Sequence, residues 1–337
     1  MKILKDQSLK DYSTMRLGGR ASFLSIIESE KALLDSLDFA EENQLETLMV
    51  GSGSNIIWKE EGYKGLLLVN RIKGKKISGN RFICCSGEIW DDAVDFTVEH
   101  DLSGLECMSL IPGTAGATPV QNVGAYGQEV SDRIESIRAY DKQKRTFVAL
   151  ANGDCGFAYR DSIFRRSPGR YFLTEITFIL EKEHLSPPFY SALQDYLNQK
   201  KINDYTPASL RRAVINIRSA KLPDPAVVAN CGSFFKNPII SIDAYERIKQ
   251  DYKEEEIPAW AHGNGFKVSA AWLLNEAGFK DAHDKKSGMG TWPSQTLVLI
   301  NEKAESSRDL MNFKTTIEKK VKKKFNIELE MEPLLLP

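Results

Sequence analysis

Between Leu110 and Gly127 the sequence reads L-I-P-G-T-A-G-A-T-P-V-Q-N-V-G-A-Y-G, with four glycines and two prolines. Such a run suits neither a helix nor the interior of a strand. It calls for a backbone that turns sharply and is approached closely. Exposed N–H groups in glycine-rich turns form concave anion sites, most often for phosphate. Gln121 and Asn122 add amides able to read a planar polar ring edge. The alternative is a loop whose glycines only let neighbouring backbone pack. The stretch points to a nucleotide-like ligand.

The rest of the 337 residues narrows the setting. Basic residues number 45 and acidic residues 46, a net charge of -1, which offers no electrostatic footprint for nucleic acid or an anionic membrane. No apolar run approaches the roughly 18 residues of a membrane span. The start, M-K-I-L-K-D, lacks the apolar core of a signal peptide. The five cysteines (Cys84, Cys85, Cys107, Cys155 and Cys231) show no metal-ligand spacing, so a reducing, cytoplasmic compartment is expected. The four histidines lie far apart, and no metal site is expected.

Alternation of helical and strand patterns describes an α/β chain. An apolar strand is predicted over 21–27, followed by a helix over 30–43 that Ser29 would cap. A buried strand over 47–50 runs into G-S-G-S-N at Gly51–Asn55, and another apolar run follows at 56–58. Strand, Gly/Ser nest and strand again describe a phosphate cradle. The missing third glycine and following helix exclude a Rossmann fingerprint, and a P-loop motif is absent. Strands are predicted over 65–77 and 81–86, and a helix over 90–100. A mostly antiparallel sheet is predicted from 134–140, 145–150 and 171–180. Helices are expected over 207–218, 242–253, 269–276 and 306–325, with a strand at 296–301. The basic run Lys319–Lys324 coincides with Ile317, Val321 and Phe325 at helical spacing, which makes it a solvated helix face rather than a nucleic-acid patch.

Certain residues could carry chemistry. Ser233, in N-C-G-S-F-F-K-N-P, has no G-x-S-x-G frame; a proton donor and a structural hydroxyl both fit. Arg160 stands among aromatic residues, where a guanidinium clamps a carboxylate or stabilises developing negative charge; an ion pair with Asp161 is the alternative. Glu328, Glu330 and Glu332 alternate with Ile327, Leu329 and Met331, which would place the carboxylates on one strand face.

Six stretches, in order and covering nearly the whole chain, carry a resemblance: V-G-S-G-S-N, I-P-G-T-A-G-A-T-P-V-Q-N-V-G-A-Y-G, Y-R-D-S-I-F, K-L-P-D-P, G-S-F-F-K-N-P and L-V-L-I-N-E. Together they resemble the UDP-N-acetylenolpyruvoylglucosamine reductases (UDP-N-acetylmuramate dehydrogenases), flavoenzymes of peptidoglycan precursor synthesis. The resemblance implies an α+β/α/β chain: an FAD-binding fold of the vanillyl-alcohol-oxidase/PCMH type in two parts, plus a C-terminal α/β substrate domain. The first part would span 1–65, completed by 325–337, the second 66–215, and the substrate domain 216–324. Implied cofactor contacts are Gly51, Ser52, Gly53, Ser54, Asn55, Pro112, Gly113, Thr114, Gly116, Ala117, Thr118, Gln121, Asn122, Gly124 and Tyr126.

The implied reaction has two halves: NADPH reduces FAD, and the enolpyruvyl sugar nucleotide is then reduced. Arg160 and Glu332 would stabilise the enolate, and Ser233 would protonate it. Tyr190, Arg218, Lys221, Lys236, Asn237 and Gln295 would hold the substrate, with Tyr190 on a loop like that of the longer family form. A monomer is expected, with no nucleic-acid or membrane partner. The family's terminal motif, commonly L-E-P-E followed by a strand with an arginine near the flavin, here reads Leu329-Glu-Met-Glu332, with Leu334 at the arginine's place. Glu330 therefore competes with Glu332 for the acidic role. A flavin oxidase of the wider superfamily and a nucleotide-sugar sensor without turnover are the other readings. The former would be marked by a histidine or cysteine in the phosphate loops to anchor flavin, and none is there.

Overall fold

A computed structural model describes residues 2–252 and 256–337, and the chain gathers into two compact units. One unit comprises residues 1–7, 21–52 and 63–220; the other comprises 8–20, 53–62 and 221–337.

The first unit holds two main sheets, besides the short pair Gly124–Ala125 and Gln128–Glu129. One has four strands in the order Ile3–Ser8, Arg20–Ile27, Tyr63–Asn70, Thr47–Val50, and its last three strands are parallel. Leu66 to Asn70 is buried without interruption, the continuous apolar pattern of a strand covered on both faces. Helix Glu30–Glu42 begins as expected, with the Ser29 hydroxyl accepting the Ala32 N–H at 3.1 Å. The other sheet is antiparallel, in the order Thr146–Ala151, Ile134–Asp141, Tyr171–Ile179, Arg81–Cys85, Lys75–Ser78. Helix Trp90–Glu99 covers it, with Trp90 and Phe82 each 5.9 Å from Phe178 between ring centres.

The single strand expected over 65–77 is two, Tyr63–Asn70 and Lys75–Ser78, and they belong to different sheets. Asn70 diverts the chain: its side chain donates to Ser86 Oγ at 2.7 Å and Leu173 O at 3.1 Å, and accepts the Ile72 N–H at 3.1 Å. Helices Ser191–Lys200 and Pro207–Lys221 close the unit through Leu193, Leu197, Leu210 and Val214; the first of them has too weak a periodicity to stand out from sequence.

In the second unit an antiparallel sheet runs Asn230–Ser233, Gln295–Asn301, Met289–Trp292, His283–Asp284. Ile239–Ser241, Gly265–Val268 and Ala259–His262 form a smaller one. Leu334–Leu336 pairs in parallel with Ile56–Trp58. Helix Ser307–Phe325 buries Leu310, Phe313, Ile317 and Val321 and exposes Lys319, Lys320 and Lys322 to Lys324, so the basic run is a solvated face. Helix Ile242–Asp251 ends short of the expected limit, and Lys253 lies outside the described residues. The helix expected over 269–276 is Ala270–Leu274 followed by one wide turn, Asn275–Phe279, that Gly278 ends at φ 82°.

Candidate active site

In the first unit the glycine-rich segment is irregular except for the two-residue strand Gly124–Ala125, which pairs with Gln128–Glu129. It passes through short 3-10 turns at Ala115–Ala117 and Pro119–Gln121, with Leu110, Asn122 and Tyr126 at φ of 58°, 46° and 50°. These values lie in the left-handed region, uncommon for residues other than glycine. Neighbouring backbone holds the turns: Ala115 N–H donates to Glu88 O at 2.9 Å, Gly116 N–H to Ser86 O at 2.8 Å, and Trp90 N–H to Gly113 O at 3.1 Å. A Cβ at Gly116 would lie 2.5 Å from Ser86 Cβ, and one at Gly51 would lie 2.2 Å from Thr114 Oγ1. The two glycine-rich turns therefore touch, and the absence of a side chain at Gly51 lets Thr114 come that close. Two such turns in contact fit a dinucleotide, whose pyrophosphate needs close backbone approach.

Arg160 lies at the corner of a tight turn closed by Ala158 and Asp161, at φ 53°. Its guanidinium donates to Asn122 O at 3.3 Å and Gly124 O at 3.1 Å and sits 5.3 Å from the Tyr159 ring centre. Asp161 pairs with Arg166. The glycine-rich segment thus supplies the carbonyls that aim the candidate cation. Asn122 is buried, and its side chain donates to Glu129 Oε2 at 2.6 Å and Ala158 O at 3.3 Å while accepting the Ser131 N–H at 3.1 Å. Gln121 accepts from Arg165 at 3.2 Å.

A second group in this unit gathers Tyr126, Tyr190 and Arg218. The tyrosine rings meet edge to face at 6.1 Å. Burial holds the Arg218 guanidinium below the usual arginine range, with Tyr126 and Asp91 acting in the opposite sense. A half-buried cation flanked by hydroxyls suits a diphosphate.

Residues not foreseen from sequence brace this group. Arg211, 9% exposed, donates to both oxygens of Asp91, at 2.7 and 3.0 Å, and to Asp95 at 2.7 Å. Asp91 also accepts the Leu110 N–H at 2.5 Å, and Arg218 Nε donates to Leu110 O at 3.4 Å. The peptide groups on both sides of a strained residue are thereby held. The signal in the sequence was the spacing: Arg211 and Arg218 two turns apart on one helix, Asp91 and Asp95 one turn apart on another.

In the second unit Ser233 ends strand Asn230–Ser233, whose pairing with the 295–301 strand slips between Asn230 and Ser233. Gly232 takes φ 75° there, its N–H donating to Asn230 Oδ1 at 2.9 Å, and a Cβ at Gly232 would meet nothing within 4 Å. Gly232 is required by conformation, and the resulting bulge re-aims the next side chain. Phe234 N–H donates to Leu297 O and Glu332 N–H to Phe234 O, both at 2.9 Å, while Phe235 bridges Met331. Ser233 and Glu332 are thus held on adjacent stretches of backbone.

The same strip separates the three glutamates. Glu328 pairs with Lys322 at 3.0 Å and Glu330 with Lys236, and both acids are exposed. Glu332 is half-buried, and its carboxylate adds to the burial that pushes the Cys231 thiol up. Cys231 is only 2% exposed, so the thiolate needed for oxidation is suppressed. The segment 326–330 is not a strand, although its side chains still alternate between inside and outside. Asn237 Oδ1 accepts the Ala270 N–H at 2.9 Å. Gln295 opens the 295–301 strand, and Lys221 ends the helix that carries Arg218. Leu334 N–H donates to Asn55 O at 3.0 Å, so the tail strand continues directly beyond the Gly51–Asn55 turn. Among the described residues no cluster of metal-binding side chains exists, and no helix is long and apolar enough to cross a membrane.

Comparison with known proteins agrees with both halves. Residues 21–148 match the FAD binding domain family, and residues 224–336 match the family described as the C-terminal domain of UDP-N-acetylenolpyruvoylglucosamine reductase. A UDP-N-acetylenolpyruvoylglucosamine reductase of Pseudomonas fluorescens is 36% identical over 332 residues, 97% of this chain and 96% of its own length. One from Ralstonia nicotianae is 34% identical over 336 residues, 96% of each chain. The crystal structure of the reductase from Thermus caldophilus superposes with a TM-score of 0.68 at 19% identity, covering 100% of this chain and 98% of that one, and so shares its fold.

Proposed function

The chain belongs to the UDP-N-acetylenolpyruvoylglucosamine reductase family, and on that premise we propose which of its residues carry the reaction. The enzyme reduces UDP-N-acetylglucosamine enolpyruvate to UDP-N-acetylmuramate, a step of peptidoglycan precursor synthesis, with FAD as cofactor and NADPH as reductant. Bound FAD supplies the hydride relay between NADPH and the sugar nucleotide. The turns at 51–55 and 112–118, with Gln121, Gly124 and Tyr126, would hold it.

Hydride arriving at the vinyl terminus leaves negative charge on the carbon bearing the carboxylate, spread as an enolate. Arg160, aimed by two carbonyls, stabilises that charge; a fixed cation acts strongly where water is excluded. Ser233 delivers the proton to the carbon, and Glu332 assists at the carboxylate. Glu330, paired with Lys236 at the surface, is the weaker candidate for that acid. Tyr190, Arg218 and Lys221 take the diphosphate, and Asn237, Gln295 and Lys236 take the rest of the substrate. The parts are 1–65 with 325–337 and 66–215 for the flavin, and 216–324 for the substrate. The enzyme works as a monomer in the cytoplasm, which sedimentation of the purified protein would contradict by showing a dimer.

The bulge at Cys231–Gly232 carries this reading, because a regular ladder would point the residue at 233 elsewhere. Ser233→Ala tests it by stopped-flow. Reduction of the flavin by NADPH should be unchanged, and reduction of the enolpyruvyl substrate should slow roughly 10²-fold or more. Equal rates in both halves would remove Ser233 from the mechanism.

A further inference from the structure

Asn122 holds the turn that carries Arg160 at two points. Its amide Nδ2 donates to Ala158 O at 3.3 Å, where the turn begins, and its own main-chain carbonyl accepts from Arg160 Nη1 at 3.3 Å. Gly124, two residues on, accepts from Nη2 at 3.1 Å. The Asn122 amide is oriented in turn by Glu129 Oε2 at 2.6 Å and by the Ser131 N–H at 3.1 Å. Both amide hydrogens and the amide oxygen are therefore engaged within the protein, on a residue 1% exposed.

The residue type follows from these demands. At φ 46° the backbone tolerates Asn, Asp and Gly better than other residues. Of these, only asparagine has two donors and an acceptor on the side chain. A free arginine side chain loses rotamer freedom on being fixed. Here two carbonyls on a locked turn impose that order before any charge develops, which is what preorganisation requires.

We infer that Asn122 is a positioning residue for Arg160, with Glu129 orienting it, and that its side chain does not read the flavin edge. The inference rests on the reading of Arg160 as the enolate-stabilising cation.

The test compares FAD-loaded wild type, N122G, R160K and the double variant in both half-reactions, together with flavin absorbance and FAD Kd. Glycine keeps the left-handed backbone and deletes only the side-chain bonds. N122G should slow reduction of the enolpyruvyl substrate roughly 10- to 100-fold. Flavin reduction by NADPH, the flavin spectrum and FAD Kd should stay within about twofold. The double variant should be no slower than R160K, because both act through one guanidinium. Independent, multiplying effects would overturn the inference while leaving the role of Arg160 intact. A shifted flavin spectrum or weakened FAD binding in N122G, with the substrate half-reaction unchanged, would also overturn it and return the amide to the cofactor. An unchanged substrate half-reaction in R160K would instead sink the underlying reading of Arg160. Should N122G fold poorly, Glu129→Ala removes the anchor alone. It should slow the same half-reaction severalfold, and an unchanged rate would overturn the inference.

Discussion

Arg160 and Ser233 are held in place by opposite means. Around Arg160 the backbone is irregular, with Leu110, Asn122, Tyr126 and Arg160 all in the left-handed region, and the cation is fixed by polar bonds to carbonyls. Around Ser233 the backbone is a β-ladder with one slip, laid over Phe234 and Phe235, both fully buried. One region stores its order in hydrogen bonds and local strain, the other in apolar burial that also holds its unit together. Removing a polar contact in the first should therefore cost less stability than removing an apolar ring from the core beneath the second.

The largest expected effect tests the second half of that contrast. Phe235→Ala should lose about 3–5 kcal/mol in denaturant unfolding, since the ring is packed on all sides. A loss under about 1 kcal/mol would show that the ladder stands without its core. Next comes Asp91→Asn. Burial pushes the Asp91 carboxyl up, but Arg211 and the Leu110 N–H outweigh it and hold it below the usual range. The pairing therefore contributes stability above the ordinary carboxylate pKa and loses it as pH falls through the lowered value. Because the Asp91 side chain is 26% exposed, the variant should lose roughly 1–3 kcal/mol at neutral pH. The difference from wild type should fade in acid, and a pH-independent difference would refute the assignment.

Two glycines differ in what a methyl group would meet. Gly116→Ala forces a Cβ against Ser86 at 2.5 Å and should cost about 1–3 kcal/mol, with weakened FAD retention. Gly232→Ala meets no neighbour and should cost only the left-handed strain, roughly 1–2 kcal/mol, with the loss seen in the substrate half-reaction. The reverse order of stability costs would show that conformation, not contact, governs both. The smallest effect lies away from either region. His283 bonds Glu302 at 2.6 Å and faces Asp281 at 3.3 Å, and those carboxylates, Glu302 foremost, raise its pKa. Its contribution is full below the ordinary histidine value and lost as pH rises through the raised one. Glu302→Gln should lower the titration midpoint of His283 in NMR, and an unmoved midpoint would exclude the pair.

Motifs made much of the candidate site legible. Arg160, Ser233 and the two touching turns lie in short stretches whose composition already marks them. The left-handed turn at Asn122 and the glycine bulge at 232 show why those stretches cannot be varied freely. The bonds that Asn122 makes to Glu129 and Ala158 were hidden, because an amide in a glycine-rich loop says nothing about what it faces. The break at Asn70 was equally hidden, since its partners Ser86 and Leu173 lie 16 and 103 positions away. The spacing of Arg211 and Asp91 on their helices gained its meaning only when the fold brought Asp91 and Asp95 to Arg211.

Short-range chemistry was therefore settled by the chain alone: which segments must turn, which helix faces are apolar, and which family's motifs occur in order. Those properties depend on steric limits and periodicity within a few residues. The different surroundings of Glu332 and Glu330, the suppression of the Cys231 thiol and the partners that aim Arg160 depend on burial and on groups far apart in sequence. Dielectric and pairing are properties of a place in the folded molecule, and only the tertiary structure creates those places.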